Sequence, residues 1–160
     1  MENNQENRQL KVSAIKNGTV LDHIPSDQIF RVIDILGLNC SKHPITFGVN
    51  LDSKSMKSKG IIKISEKFFE AEELNKIALI APQASVNIIK DFEVIEKKLL
   101  TIPEKIEGFV KCVNPVCVTN HQDIKTKFTT IIKGNEVQLR CSYCEKITES
   151  SNFKIVSNSL

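Results

Sequence analysis

No apolar run in this sequence approaches the roughly 18 residues that a membrane-spanning helix requires, so no such span is expected. Its opening stretch, MENNQENRQL, is polar and has no apolar core, so no secretory signal is expected either and the chain reads as cytoplasmic. An excess of one charge sign is missing too. Twenty-two basic and 19 acidic residues leave +3 over 160 residues; split at Pro103, the counts are 14 against 13 and then 8 against 6. Neither part is a polycation, so global charge points to no polyanion and no acidic substrate. There is no internal repeat and no extended low-complexity tract. Catalytic signatures are lacking as well: no cluster of serine, histidine and acid, no glycine loop to cradle phosphate and no paired-carboxylate motif stands out, so catalysis is not expected. What remains is an ordinary composition, 41% hydrophobic and 26% charged, that excludes a wholly disordered chain.

Hydrophobic periodicity divides the chain in two near Pro103. In the first part, Leu10, Val12 and Ala14 fall on one side of a strand, with Lys11, Ser13 and Ile15 on the other. Asn17-Gly18 signals a turn, and Thr19 to Ile24 continue as a strand. A helix is expected from Pro25-Ser26, with Ser26 as N-cap, Ile29, Ile33 and Leu36 on one face, and Gly37 as its stop. Pro44–Leu51 and Gly60–Ser65 read as strands. A second helix starts near Glu70, with Glu72 and Glu73 at the positive end of its dipole. Leu74, Ile77, Ala78 and Ala81 form its apolar stripe, and Pro82 ends it. Ala84–Phe92 and Glu93–Leu99 are extended. The order β-α-β-β-α-β is that of a ferredoxin-like α/β sandwich with an antiparallel sheet, so the fold class is α+β over residues 1–103.

Residues 104–160 have a different texture. Strands are expected at Gly108–Lys111, Lys125–Lys133, Glu136–Arg140 and Asn152–Val156, with Gly134-Asn135 turning the central hairpin. Such a short all-β segment is marginal as a self-sufficient core and gains from a metal staple.

The cysteines supply the staple. Cys112 and Cys117 form C-x4-C, Cys141 and Cys144 form C-x2-C, and 23 residues separate the pairs. Two such knuckles around a hairpin can offer four thiolates to Zn²⁺ in a tetrahedron, as in a zinc ribbon. Four sulfur ligands leave no open position for water, which favours one structural zinc over a catalytic one. The alternatives are four separate buried cysteines, or His121 in place of one thiolate, although His121 also reads simply as a loop residue. Cys40 has no partner in sequence and reads as an ordinary, partly buried thiol. Five cysteines are an odd count that, in a reducing compartment, argues against disulfides.

A zinc ribbon can bind nucleic acid when its strands present basic and aromatic side chains. Lys125, Lys127 and Phe128 give a faint version of that pattern, and a small module packing on another protein fits as well. In the first part, Lys54, Lys57 and Lys59 suit a solvated loop. Lys63 differs, because in Ile61-Ile62-Lys63-Ile64 it alternates with apolar residues and shares a face with Ile61. An ammonium there must snorkel to solvent or meet an anion such as phosphate. Asp22, His23, Asn87 beside Ile89, and Lys97 add polar groups that can converge on one end of the same sheet.

These pieces together resemble the regulatory-chain family of aspartate carbamoyltransferase. The matching segments are VSAIKNGTVLDHIP (Val12 to Pro25), ITFGVNL (Ile45 to Leu51), KGIIKI (Lys59 to Ile64), IAPQASVNII (Ile80 to Ile89) and FEVIEK (Phe92 to Lys97), with CVNPVC and RCSYCEK around the cysteines. The resemblance implies a non-catalytic subunit with an allosteric nucleotide-binding domain at 1–103 and a zinc domain at 104–160 that docks on the catalytic chain. It also implies regulatory dimers bridging catalytic trimers, with CTP and ATP as effectors in the control of pyrimidine biosynthesis and UTP as a further candidate. Carried over, the base and ribose contacts fall on Ala14, Ile15, Val20, Asp22, His23, Ile89 and Val94. The phosphates fall to His23, Lys63 and Lys97, with Lys63 and Asn87 also passing the signal on and Lys59 meeting a second nucleotide. Asn114, Tyr143, Glu145 and Lys146 border the partner interface. Ser13 and Phe92 depart from an acidic residue and a tyrosine in a relative, and Pro115 and Val116 replace more polar residues. The contrasting expectation is a stand-alone zinc-ribbon nucleic-acid binder with an N-terminal sensor.

Overall fold

The computed structural model describes residues 14–156, and of the strand expected over Leu10–Ile15 only Ala14 and Ile15 fall within them. Ala14 and Ile15 themselves are neither helix nor strand. The chain then runs β1 (Gly18–Pro25), α1 (Ile29–Ile35), β2 (Ile45–Leu51), β3 (Lys59–Ser65), α2 (Ala71–Ile80), β4 (Ser85–Lys90) and β5 (Glu93–Leu99). These strands form one antiparallel sheet in the order β2-β3-β1-β4-β5, the ferredoxin-like arrangement with β5 added at one edge.

Period-2 alternation decides the two faces of this sheet. Leu21, Ile62, Ile64 and Val86 point inward with Ile24, and meet Ile29 and Val32 of α1 and Ile77 of α2 in a sealed apolar core. Ser26 does not cap α1. A 3-10 turn over Ser26–Gln28 intervenes, and the Ser26 hydroxyl instead accepts the backbone N–H of Asn50 at 3.1 Å, tying β2 to the helix entry. Gly37 ends α1 in the left-handed region, at φ 61°, where a side chain would be strained. At the start of α2 the Glu73 carboxylate accepts the Glu70 backbone N–H at 3.0 Å and the Glu70 side chain accepts the Glu73 amide, a capping box; Ile77, Ala78 and Ala81 of the expected apolar stripe are buried and Leu74 is partly so.

The C-terminal part is a second sheet in the order β10-β9-β8-β6, made of β6 (Lys105–Glu107), β8 (Lys127–Lys133), β9 (Glu136–Cys141) and β10 (Ile147–Glu149). A two-stranded ribbon joins β7 (Val110–Lys111) to β11 (Lys154–Ile155). Of the strand expected at Gly108–Lys111 only Val110–Lys111 is extended, as β7; Gly108, at φ 83°, separates it from β6, a strand outside the expected ones. The strand expected from Asn152 is shortened by a 3-10 turn at Ser150–Asn152. Gly134-Asn135 closes the β8–β9 hairpin as expected, with Lys133 paired to Glu136.

The two sheets meet through the helices. Leu79 of α2 is buried in the second core, and Ile155 packs against both. Lys76 of α2, only 7% exposed, lies 5.7 Å from the Phe109 ring centre and 3.5 Å from Glu72. Arg31 of α1 donates from Nη2 to the Phe153 carbonyl at 2.7 Å.

Candidate functional site: a cysteine cluster and a polar sheet face

Each cysteine pair sits on a tight turn that aims backbone N–H groups at sulfur. The amide of Asn114 faces Cys112, those of Tyr143 and Cys144 face Cys141, and that of Lys146 faces Cys144. Glu145, at φ 62°, adopts the left-handed conformation that lets the second turn close, with its N–H on the Cys141 carbonyl at 2.9 Å. The four sulfurs lie within 4.8 Å of one another, with Cys112 and Cys144 3.6 Å apart and Cys117 and Cys141 3.8 Å apart. A tetrahedron with Zn–S bonds of about 2.3 Å has edges of about 3.8 Å, so the cluster matches a four-thiolate metal site. Its surroundings fit as well. Asn120 Nδ2 donates to the Cys112 and Asn114 carbonyls at 2.9 and 2.8 Å, fixing the first knuckle. Burial pushes the Cys112 thiol up to about 12 and also raises Cys141. Burial opposes the Cys144 thiolate too, but hydrogen bonds from Asn114, the Lys146 amide and the neighbouring thiols outweigh it and bring Cys144 down to about 6. A bound cation would draw the raised Cys112 and Cys141 into the thiolate form beside Cys144.

His121 is exposed, and its Nε2 is 2.7 Å from the Pro115 carbonyl, away from the four sulfurs. Cys40 stands apart from them and corrects the expected partial burial: it is exposed, because it ends the short 3-10 turn Leu38–Cys40, of which only Leu38 is buried. Phe128 corrects the expectation of an exposed aromatic beside Lys125 and Lys127. It is 2% exposed, because the β8 pleat turns it into the second core, and it offers no stacking surface for a base. Around the cluster, Tyr143, Glu145, Lys146, Pro115 and Val116 are exposed, while the Asn114 side chain is engaged with Cys144 and with the Val116 amide at 3.3 Å.

The other candidate residues lie on the outer face of the first sheet. Register places Thr46, Lys63, Val20, Asn87 and Lys97 directly opposite one another, a row that crosses β2, β3, β1, β4 and β5. Paired positions of an antiparallel sheet project to the same side, so Lys63, Asn87 and Lys97 share one surface floored by Val20. Irregular pairing between Ile88 and Ile89 sets Ile89 against Val94, extending the apolar floor towards the β4–β5 turn. That turn is tied to the incoming chain, since the Phe92 N–H donates to the Lys16 carbonyl at 3.0 Å and the Asp91 N–H to Asn17 Oδ1 at 3.1 Å. Ala14 and Ile15 precede this tie. Phe92 is 65% exposed at the tip of the turn; Ser13 lies outside the described residues.

At the opposite end, β1 breaks register with β3 between Leu21 and Ile24, and His23 takes φ 58°. Asp22 accepts from Lys59 Nζ at 2.9 Å and from the His23 amide at 2.7 Å. Burial disfavours its carboxylate, but those hydrogen bonds and the nearby charges of Lys59 and His23 prevail, so Asp22 titrates below its ordinary 3.8. Burial lowers the Lys63 ammonium, and Asp22 pulls it partly back. Ser85, opposite Asp22 on β4 and 2% exposed, is a residue that the sequence reading passes over; among the described residues its hydroxyl has no hydrogen-bond partner. Its place two positions before Asn87 in a period-2 strand is the signal that points to it.

Comparison with known proteins matches both parts of the chain to one family. Residues 10–101 match the family described as the allosteric domain of the aspartate carbamoyltransferase regulatory chain, and residues 104–154 match the metal binding domain of the same chain. The aspartate carbamoyltransferase regulatory chain of Bacteroides thetaiotaomicron is 51% identical over 152 residues, covering 94% of this chain and 99% of that protein. The Bacteroides fragilis regulatory chain is 49% identical with the same coverage. That of Pyrococcus horikoshii is 48% identical over 147 residues, covering 91% and 96%. A sheet face and a four-cysteine cluster, joined in this order and matched along nearly their whole length, place the chain in the aspartate carbamoyltransferase regulatory-chain family, as a regulatory and not a catalytic subunit.

Proposed function

We propose that the chain binds CTP and ATP, with UTP as a further candidate effector, on the outer face of its first sheet, and thereby shifts the quaternary equilibrium of an aspartate carbamoyltransferase holoenzyme. The observation that carries this reading is the row Lys63, Val20, Asn87, Lys97, which sets two cations and an amide around an apolar floor. In it the base lies near Ala14, Ile15, Val20, Ile89 and Val94, the ribose near Asp22, and the phosphates near His23, Lys63 and Lys97. Lys59, held by Asp22, borders the second nucleotide. Effectors act by binding one quaternary state better than the other, which is the only way a ligand moves such an equilibrium.

In the same reading, residues 1–103 form the nucleotide domain, and residues 104–160 form a domain that Zn²⁺ holds rigid for docking on the catalytic chain. Cys112, Cys117, Cys141 and Cys144 hold the zinc, which supplies a fixed tetrahedral staple and no reaction step. Asn114, Tyr143, Glu145 and Lys146 border the docking surface. Two regulatory chains pair along β2. This edge strand carries no charged residue and exposes Phe47 beside Phe30, the two rings 5.7 Å apart, whereas β5 at the other edge carries Glu93, Glu96, Lys97 and Lys98. The chain works in the cytoplasm and binds no nucleic acid.

The test is calorimetric titration of CTP into the chain, with aspartate saturation curves of the holoenzyme reconstituted from catalytic trimers. CTP should bind, and the curve should move. Lys63→Ala should weaken CTP about 10- to 100-fold, the equivalent of one charged hydrogen bond. No association with the trimer and no nucleotide effect would defeat the reading.

A further inference from the structure

The seam between the two parts has an apolar component and a directional one. Leu79 and Ile155 supply apolar contacts, which hold surfaces together without setting their angle. Arg31 supplies the directional component. Its guanidinium donates from Nη1 to the Ser150 carbonyl at 3.4 Å and from Nη2 to the Phe153 carbonyl at 2.7 Å, so it grips both ends of the 3-10 turn that links β10 to β11. A planar fork fixes orientation as well as distance, which a single ammonium does not.

The path from the sheet face to this fork is short. β1 carries Val20, Asp22 and His23, leaves its register at the left-handed His23, and passes through Pro25 and the Ser26–Gln28 turn directly into α1. No loop intervenes to absorb a displacement. Beside the fork opens a cleft of about 280 Å³ lined by Pro25, Asp27, Gln28, Leu79, Ser150 and Ser151, so the helix entry and the turn have room to move against each other.

We propose that Arg31 is a positioning residue that carries the state of β1 to the cysteine-bearing part: a ligand at Asp22 and His23 shifts the Pro25–α1 entry, and the fork drags the Ser150–Phe153 turn with it. This rests on the nucleotide reading above. It adds the residue through which that site speaks to the rest of the chain.

The test uses the reconstituted holoenzyme with Arg31→Ala and with Arg31→Lys, which keeps the charge but not the fork. CTP affinity should stay within about twofold, because the fork shares no partner with the sheet face. Maximal rate should hold. The nucleotide-induced change in half-saturating aspartate, about fivefold or more for an ordinary coupling, should collapse towards none in both variants. A purely structural role would lower thermal stability and leave that change intact, and this result would overturn the proposal. Amide exchange in the unaltered holoenzyme decides the matter even where a variant does not assemble. CTP should alter protection at Ser150–Ile155, and unaltered protection there would also overturn it. An unaltered holoenzyme that ignores both CTP and ATP would defeat the nucleotide reading itself, and is thereby distinguished from failure of the fork alone.

Discussion

The cysteine cluster and the sheet face are assembled in opposite ways. The cluster takes its four ligands from two short turns, Cys112 to Cys117 and Cys141 to Cys144, so each half is local and only the β8–β9 hairpin has to bring the halves together. The sheet face draws Lys63, Val20, Asn87 and Lys97 from four separate strands, and only correct register across the whole sheet lines them up. One site has its stability concentrated in a metal; the other spreads it over an apolar core. The first should fail all at once and the second by degrees.

The largest effect expected is therefore metal loss. Structural zinc contributes about 10–16 kcal/mol, comparable with the whole stability of a small domain. Chelation, or Cys141→Ser, should abolish amide protection at Phe128 and Leu139 while Leu21 and Ile62 keep theirs. Joint loss of both sets would mean that the two parts unfold as one unit, and the contrast would collapse. A graded effect comes next. Ile62 is fully buried in the first core, and Ile62→Ala should cost about 2–5 kcal/mol in the urea transition while the metal content of the chain is unchanged.

The smallest effect is electrostatic. Asp22 titrates below 3.8 in the folded chain, so its contribution is complete above that value and disappears as pH falls through the lower, folded one. The pair with Lys59 is partly exposed, so Asp22→Asn should cost no more than about 1 kcal/mol at neutral pH. The variant should also show a flatter loss of stability in acid, measured as urea midpoints from neutral pH down through the folded value. An acid limb identical to that of the unaltered chain would show that the Asp22 end of the face owes nothing to charge.

The same contrast explains what could be read from the residues alone. Spacing of two and four residues between cysteines survives as a linear pattern, and the second helix announces itself through Glu70, Glu73 and the stripe ending at Ala81. Lys63 stands out because it interrupts an apolar alternation. By contrast, the pairing of Val20 with both Lys63 and Asn87 depends on strand order, which no local window contains. Ser26 has the chemistry of a cap but spends its hydroxyl on Asn50, a contact 24 positions away. Phe128 looks exposed next to two lysines until the pleat turns it inward. Gly108 delays the start of its expected strand to Val110, because its positive φ is a property of the folded turn and not of its neighbours.

Arg31 and its acceptors are 119 and 122 positions apart in the chain. At roughly 5–20 residues per second of synthesis, about 6–24 seconds separate the emergence of the arginine from that of Ser150. During that interval the first sheet and its helices can close around their own core, while the helix flank that carries Arg31, Lys76 and Leu79 waits uncovered. A flank with two cations and a single buried leucine is suited to that wait, because it resists the sticking that an all-apolar flank would invite. The seam that joins the two parts is thus among the late joins the nascent chain makes.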